Sequence, residues 1–217
     1  MEKTFEWFAE RGVQLSRAGR DREYAGTVSG AKGVELVFLS AGEIPRELAA
    51  GRIHLGVTGS DLVQEKIVNW QARVEALAHM GFGHADLILA VPDFWEDVVR
   101  IEDLDAVSAD FRARHGHRLR IATKYHRLVR EYLRDQGVAN YQLVDSQGAT
   151  EGTIKQETAE AIADITSTGE TLRANHLRVL EDAVIHQSQA CLFKSNQSEM
   201  TDQEAGDLKE LLKTLGL

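Results

Sequence analysis

A chain of 217 residues, 43% of them apolar, has room for one large or two small domains with buried cores. Its formal net charge of −9 argues against a nucleic-acid partner, because duplex binding needs a basic face to displace counterions. The single cysteine, Cys191, excludes an intramolecular disulfide and a cysteine metal cluster.

The longest apolar runs, such as 85–92, are too short to cross a bilayer, and Met1 is followed by Glu2 and Lys3 rather than by a secretory apolar stretch. A cytoplasmic protein with no membrane partner is expected. Residues 2–11 read as a helix with Phe5, Phe8 and Ala9 on one face and Gly12 as its stop. Strands are expected at 34–39 and 53–58, with a helix over 43–50 between them and another over 59–65. Two more strands follow at 74–78 and 85–91, and Pro92 closes the second.

Residues 93–117 are more charged and less regular, which places a change of domain near Pro92. Within this stretch His115 and His117 form the closest histidine pair. They sit among arginines with no third ligand at a usual spacing, so a solvated loop is expected there and no metal site. The second domain then contains a strand at 119–122 and a helix over 125–136, whose apolar face is Tyr125, Leu128, Val129, Tyr132 and Leu133 and whose stop is Gly137. A strand at 141–144, a short helix near Glu151 and a strand at 161–166 complete it. Residues 177–194 are long and apolar-rich, and Cys191 within them reads as a small core residue. Residues 201–217 read as an amphipathic helix with Leu208, Leu211, Leu212 and Leu215 on one face. The alternation of helices and strands is that of an α/β protein with mostly parallel sheets.

The most informative segment is 161–172, Ala-Ile-Ala-Asp-Ile-Thr-Ser-Thr-Gly-Glu-Thr-Leu. An apolar strand ends in an acidic residue and then in hydroxyl and glycine residues. Backbone N–H groups and the hydroxyls of Thr168 and Thr171 can surround a phosphate as a helix begins, and Asp164 can accept hydrogen bonds from sugar hydroxyls. A phosphate plus a ribose diol suits such a segment, which points to phosphoribosyl diphosphate. An ordinary capped strand-to-helix turn is the alternative.

Three segments carry a family resemblance. Residues 53–63, Ile-His-Leu-Gly-Val-Thr-Gly-Ser-Asp-Leu-Val, resemble the Asp-Leu-Gly-Ile-x-Gly-x-Asp segment of short-form ATP phosphoribosyltransferases. Residues 119–125, Leu-Arg-Ile-Ala-Thr-Lys-Tyr, resemble that family's Arg-Ile-Ala-Thr-Lys-Tyr segment, and 164–172 with Asn175 and Leu177 resemble its phosphoribosyl-binding signature. The likeness runs over about 1–194 in the family's order and spacing, and on it the chain is identified as a member of the family.

The resemblance implies two α/β lobes like those of type II periplasmic binding proteins, with a ligand cleft between them. The first lobe would be 1–91 plus 179–217, and the second 92–178. It also implies the first step of histidine biosynthesis, in which N1 of the ATP adenine displaces pyrophosphate from phosphoribosyl diphosphate, with magnesium on the substrate. The polyanionic substrates then need a local basic site within an acidic chain. The expected substrate-binding residues are Asp164, Thr166, Ser167, Thr168, Gly169 and Thr171 in the signature and Tyr125 in the second segment. Gly56, Gly59 and Asp61 join them, with Asp61 also able to cap a helix, as does Glu151, whose surroundings depart from the family's Ser-apolar-Glu-apolar-Ala-Pro.

Lys124, between a strand and a helix, is the expected catalytic cation, with a solvated lysine as the alternative. The resemblance, in which an arginine follows the first helix, implies that Arg22, just before a strand at 23–28, stabilises pyrophosphate, with Arg20 as its rival and a surface arginine without a role as the alternative. A homodimer is expected, since the family's sites draw on a neighbouring subunit and the apolar face of the first helix needs cover. A regulatory subunit resembling histidyl-tRNA synthetase is implied as well. The family's first strand and Lys-Gly-Arg loop have no counterpart ahead of the first helix, which reads as a start at an internal methionine, a natural variant or an engineered chain. A solute-binding or sensor module of the same fold and an inactive assembly subunit are the competing readings.

Overall fold

The computed structural model describes residues 1–17, 25–146 and 148–217. These fall into two units, Met1–Gly83 with Gln189–Leu217, and His84–Ser188. The expected boundaries, after 91 and before 179, lie elsewhere than these breaks. The shift comes from two strands that the charge pattern did not separate, Ala85–Pro92 and Leu177–Ser188, which pair with each other and belong to the second unit's sheet.

In the first unit, α1 (Glu2–Ala9) buries Trp7 and Phe8 against Val13, Met80, Leu192, Leu211 and Leu215. The antiparallel sheet β1-β2-β3 follows, from β1 (Gln14–Arg17), β2 (Ala25–Ser29) and β3 (Leu36–Val37). β1 was not expected, because its polar sequence, with no buried residue, lacks the alternation of a half-buried strand. Next come α2 (Ile44–Ala49), β4 (Leu55–Gly59), α3 (Ser60–Lys66), α4 (Trp70–Arg73) and β5 (Val74–His79). β11 (Ala190–Ser195) inserts between β4 and β5, antiparallel to both. The unit ends in α9 (Asp202–Leu215), started by a reciprocal cap in which Thr201 N donates to Glu204 Oε2 at 2.7 Å and Glu204 N to Thr201 Oγ1 at 3.3 Å.

The second unit comprises β6 (Ala85–Pro92), α5 (Ile101–His115), β7 (Leu119–Thr123), α6 (His126–Asp135), β8 (Tyr141–Asp145), α7 (Gly152–Lys155), β9 (Ala161–Thr166), α8 (Glu170–Ala174) and β10 (Leu177–Ser188). Its sheet has the order β10-β6-β9-β7-β8. β7 is parallel to β8 and β9, whereas β6 is antiparallel to β9 and β10. The second unit's sheet is therefore mixed and the first unit's two sheets pair antiparallel, rather than mostly parallel, because buried strands of either direction read as continuous apolar runs. Ile88, Ala90, Ala122, Ile162, Leu172 and Leu177 form a core around the sheet centre. Fully burying one such Leu or Ile contributes about 1.5–3 kcal/mol.

The stretch expected to be irregular, 93–117, contains α5. Its buried stripe is only Ile101, Leu104 and Ser108, too thin to read as periodic. Its start is held by carboxylates instead: Asp103 Oδ2 accepts from Val99 N at 2.9 Å and Arg100 N at 2.8 Å, and Asp182 Oδ1 accepts from Ile101 N at 2.9 Å. These backbone donors hold the Asp103 carboxyl below its ordinary range. His115 is the last residue of α5 and, with Gly116 and His117, is exposed. No helix among the described residues is long and apolar enough to cross a membrane.

Candidate active site

Because β7, β8 and β9 are parallel, their carboxyl ends lie along one edge of the second unit's sheet. Three loops leave that edge: Lys124-Tyr125 after β7, Ser146 and 148–151 after β8, and 167–169 after β9. This is where open α/β sheets hold ligands. The first two loops are tied together. Ser146 N donates to Thr123 O at 3.3 Å, Lys124 Nζ to Gly148 O at 2.5 Å, and His126 Nε2 lies 2.6 Å from Asp145 Oδ1. The His126–Asp145 pair was not anticipated, since nothing in a separation of 19 residues marks the two as partners.

In the loop after β9, Thr166 Oγ1 accepts from Gly169 N at 3.0 Å and Thr168 Oγ1 accepts from Glu170 N at 3.4 Å. A threonine hydroxyl that accepts from the backbone keeps its own hydrogen to donate outward. Ser167 differs: its Oγ donates to His84 O at 3.1 Å, so its one hydrogen is committed to holding the loop. Gly169 takes φ +71, a left-handed conformation open to glycine with little strain, and starts α8. The first-turn N–H groups of Thr171 and Leu172 have no acceptor within the helix by geometry. Asp164 accepts from Ile165 N at 2.8 Å through Oδ1, which leaves Oδ2 for a further donor. Ser167, Thr168 and Thr171 are exposed, and Asp164, Thr166 and Gly169 are half-buried.

Lys124 is exposed, with its ammonium on the Gly148 carbonyl. Tyr125 is only 6% exposed. Its side chain is part of the core, and its N donates to Thr123 Oγ1 at 2.9 Å. Glu151 is half-buried immediately before α7. The unusual residues around it are accounted for internally: Thr150 and Ser146 share a buried hydroxyl–hydroxyl bond of 2.6 Å, and Thr153 Oγ1 donates to Thr150 O at 2.7 Å.

The remaining candidates lie in the first unit. Gly56 and Gly59, expected among the substrate-binding residues, both belong to β4. A Cβ on Gly56 would lie 2.6 Å from Ile44 Cγ2 and 3.1 Å from Leu48 Cδ1, so this glycine lets α2 seat on the strand rather than letting a ligand approach. Gly59 immediately precedes α3, and Asp61, 6% exposed, lies in that helix's first turn, where a carboxylate is favoured. Arg20 and Arg22 lie outside the described residues. Cys191 is fully buried in the core of β11, and burial first, then Asp61, pushes its thiol up to about 11. A thiol so placed is a core residue, not a nucleophile. Among the described residues no three His, Cys, Asp or Glu side chains converge to hold a metal.

The site can thus bind phosphate through N–H and O–H donors and bring one lysine and one carboxylate to the same sheet edge. Known proteins place it in context. A family model described as ATP phosphoribosyltransferase matches residues 40–216. The chain is 66% identical to an ATP phosphoribosyltransferase of Cereibacter sphaeroides over 217 residues, all of this chain and 92% of the relative. It is 49% identical to one of Mesorhizobium japonicum over 205 residues, 94% of this chain and 88% of that protein. The solved ATP phosphoribosyl transferase (HisG:HisZ) complex from Thermotoga maritima contains a chain of the same fold, with a TM-score of 0.70 at 20% identity, matching 99% of this chain and 90% of that one. This chain belongs to the ATP phosphoribosyltransferase family.

Proposed function

We propose that this chain catalyses the first step of histidine biosynthesis. N1 of the ATP adenine attacks C1 of phosphoribosyl diphosphate, the bond from C1 to the diphosphate oxygen breaks, and phosphoribosyl-ATP and pyrophosphate leave. The observation that carries this reading is 66% identity to an ATP phosphoribosyltransferase along the whole chain. The loop after β9 supports it, because its outward O–H and N–H donors match a phosphate.

In this reading the 5-phosphate of phosphoribosyl diphosphate sits on the N–H groups of Thr171 and Leu172 and on the hydroxyls of Thr166, Thr168 and Thr171. Gly169 sets the turn and Ser167 anchors it to His84. Asp164 takes a ribose hydroxyl on Oδ2. Lys124 exchanges the Gly148 carbonyl for a phosphate oxygen and, with Arg22 or Arg20, counters the charge that grows on the leaving diphosphate as C1 becomes oxocarbenium-like. Such fixed cations act by charge stabilisation, and the bound pose supplies orientation. Tyr125 supports Lys124 from the core, and Glu151 completes the set at this sheet edge.

Magnesium supplies neutralisation of the diphosphate when it arrives with the substrate. Isolated carboxylates such as Asp164 fit an ion held mainly by diphosphate and water oxygens, as that metal prefers. The family resemblance further supports a cytoplasmic homodimer in which Arg22 or Arg20 reaches a neighbour's site. It also supports a regulatory subunit resembling histidyl-tRNA synthetase, consistent with the partnered Thermotoga maritima relative. Magnesium-dependent release of pyrophosphate from ATP and phosphoribosyl diphosphate is the test, with and without such a partner. No release under either condition would reject the enzyme reading, and a strictly monomeric mass by light scattering would reject the dimer.

A further inference from the structure

A second basic region lies in the same unit, away from the loops just described. Arg118 immediately precedes β7, and Arg130 and Arg134 lie one turn apart on α6. All three line a cavity of about 480 Å³ with Val138, Tyr141 and Leu143. Tyr141 begins β8, so the cavity sits at the amino ends of β7 and β8, whereas Lys124 follows the carboxyl end of β7. Five-residue strands put these ends about 16 Å apart.

The fold does little to neutralise this cluster. Arg134 pairs with the adjacent Asp135 at 2.9 Å, where both side chains are exposed and water screens them. Arg118 and Arg130 make no ion pair among the described residues. Arg130 and Arg134 also repel each other across one helical turn. In a chain of net charge −9, three guanidiniums around one hollow concentrate positive charge locally. Val138 is buried and Tyr141 and Leu143 are half-buried, so the hollow combines an apolar floor with a cationic rim.

We infer that this cavity binds a small phosphorylated organic anion, at a site separate from the loops that hold the substrates. Guanidinium forks suit bidentate contact with phosphate oxygens, and the floor accepts a carbon skeleton. The volume lies within the range of ligand pockets, about 300–1,000 Å³.

Calorimetric titration of the full chain with ribose 5-phosphate tests this, using the parent, Arg118→Gln/Arg130→Gln and Thr168→Val/Thr171→Val. The parent should show two sites. The arginine variant should weaken one of them about ten-fold or more per guanidinium removed, with the rate of pyrophosphate release unchanged. The threonine variant should retain that site. If the arginine variant loses one site and the threonine variant loses none, the cavity stands and only the loop assignment fails. An arginine variant that binds like the parent overturns the inference, as does a parent with a single site that the threonine variant abolishes. Inorganic phosphate should bind the cavity more weakly than the sugar phosphate, and equal affinity would overturn the organic part. A glutamate-rich peptide that binds there more tightly than ribose 5-phosphate would overturn the small-molecule assignment in favour of a protein partner.

Discussion

The β9–α8 and β4–α3 junctions are assembled from the same parts, an apolar strand with glycine and threonine leading into a short helix, yet they use those parts for different ends. Gly169 is needed for its backbone: φ is +71, and an added Cβ would meet only the far end of Arg173, at 3.0 Å. Gly56 is needed for its lack of volume, because a Cβ there would run into Ile44 at 2.6 Å. The threonines divide in the same way. Thr168 is exposed and accepts from its own loop, leaving a hydrogen to donate, whereas Thr58 is 4% exposed and gives its hydrogen to Ala41 O at 3.1 Å. Glycine and threonine at a strand end therefore indicate a ligand only where the turn is exposed and the hydroxyl is uncommitted.

The largest expected effect lies at the open edge of the second unit. Lys124→Ala should lower turnover about 100-fold to 1000-fold, the usual consequence of removing one charge-stabilising group. Its melting temperature should stay near the parent's, since the side chain is exposed and its visible partner is one carbonyl. Steady-state kinetics alongside thermal melting would check both halves. A fall in turnover of less than about three-fold would remove Lys124 from the set that stabilises the leaving group.

Next in size, Thr168→Val or Thr171→Val should weaken phosphoribosyl diphosphate by about 1–3 kcal/mol for each lost hydrogen bond. Thr58→Val is the matched control. It should leave substrate affinity intact and lower stability instead, because the Ala41 carbonyl loses its donor. Calorimetry and urea denaturation on the same three variants separate the two junctions. If Thr58→Val weakens the substrate as much as Thr168→Val does, the β4–α3 junction binds ligand after all.

What the sequence made legible follows how local the chemistry is. Residues 161–172 carry their own logic of apolar strand, carboxylate, hydroxyls and glycine, and the expected strand at 161–166 coincides with β9. The use of Gly56 depends on Ile44 and Leu48 of α2, which contact it only after folding. The commitment of Ser167 to His84 and the pairing of His126 with Asp145 are likewise tertiary. Helix α5 was hidden because few of its residues are buried and Asp182, distant in sequence, helps to start it. The direction of β6 and β11 was hidden because burial on both faces erases the pattern that would distinguish their pairing, and that of β10 because its register shifts against β6 break any alternation.

Gly56→Ala should cost about 1–3 kcal/mol of stability in urea denaturation, the usual range for overpacking, with little change in substrate affinity. Ile44→Ala in the same chain should recover part of that loss by removing the methyl group in the way. A Gly56→Ala chain of parental stability that binds substrate poorly would return Gly56 to the binding set.

The smallest effect is expected at Gly169, and there the choice of replacement is informative. Alanine in a left-handed conformation costs about 1–2 kcal/mol, and the Cβ itself would meet only the mobile end of Arg173. The strain can be relieved by the loop rather than by the core, because Ser167 and Thr168 are exposed. Relaxation would move Gly169 N away from Thr166 Oγ1 and turn the hydroxyls of Thr166 and Thr168 off their common target. Gly169→Ala should therefore weaken phosphoribosyl diphosphate more than it lowers the melting temperature. Asparagine tolerates the left-handed region better than alanine does, so Gly169→Asn should lie between the parent and Gly169→Ala in affinity. If asparagine and alanine weaken the substrate equally, the close approach of a ligand to the bare backbone, rather than φ, is what reserves this position for glycine.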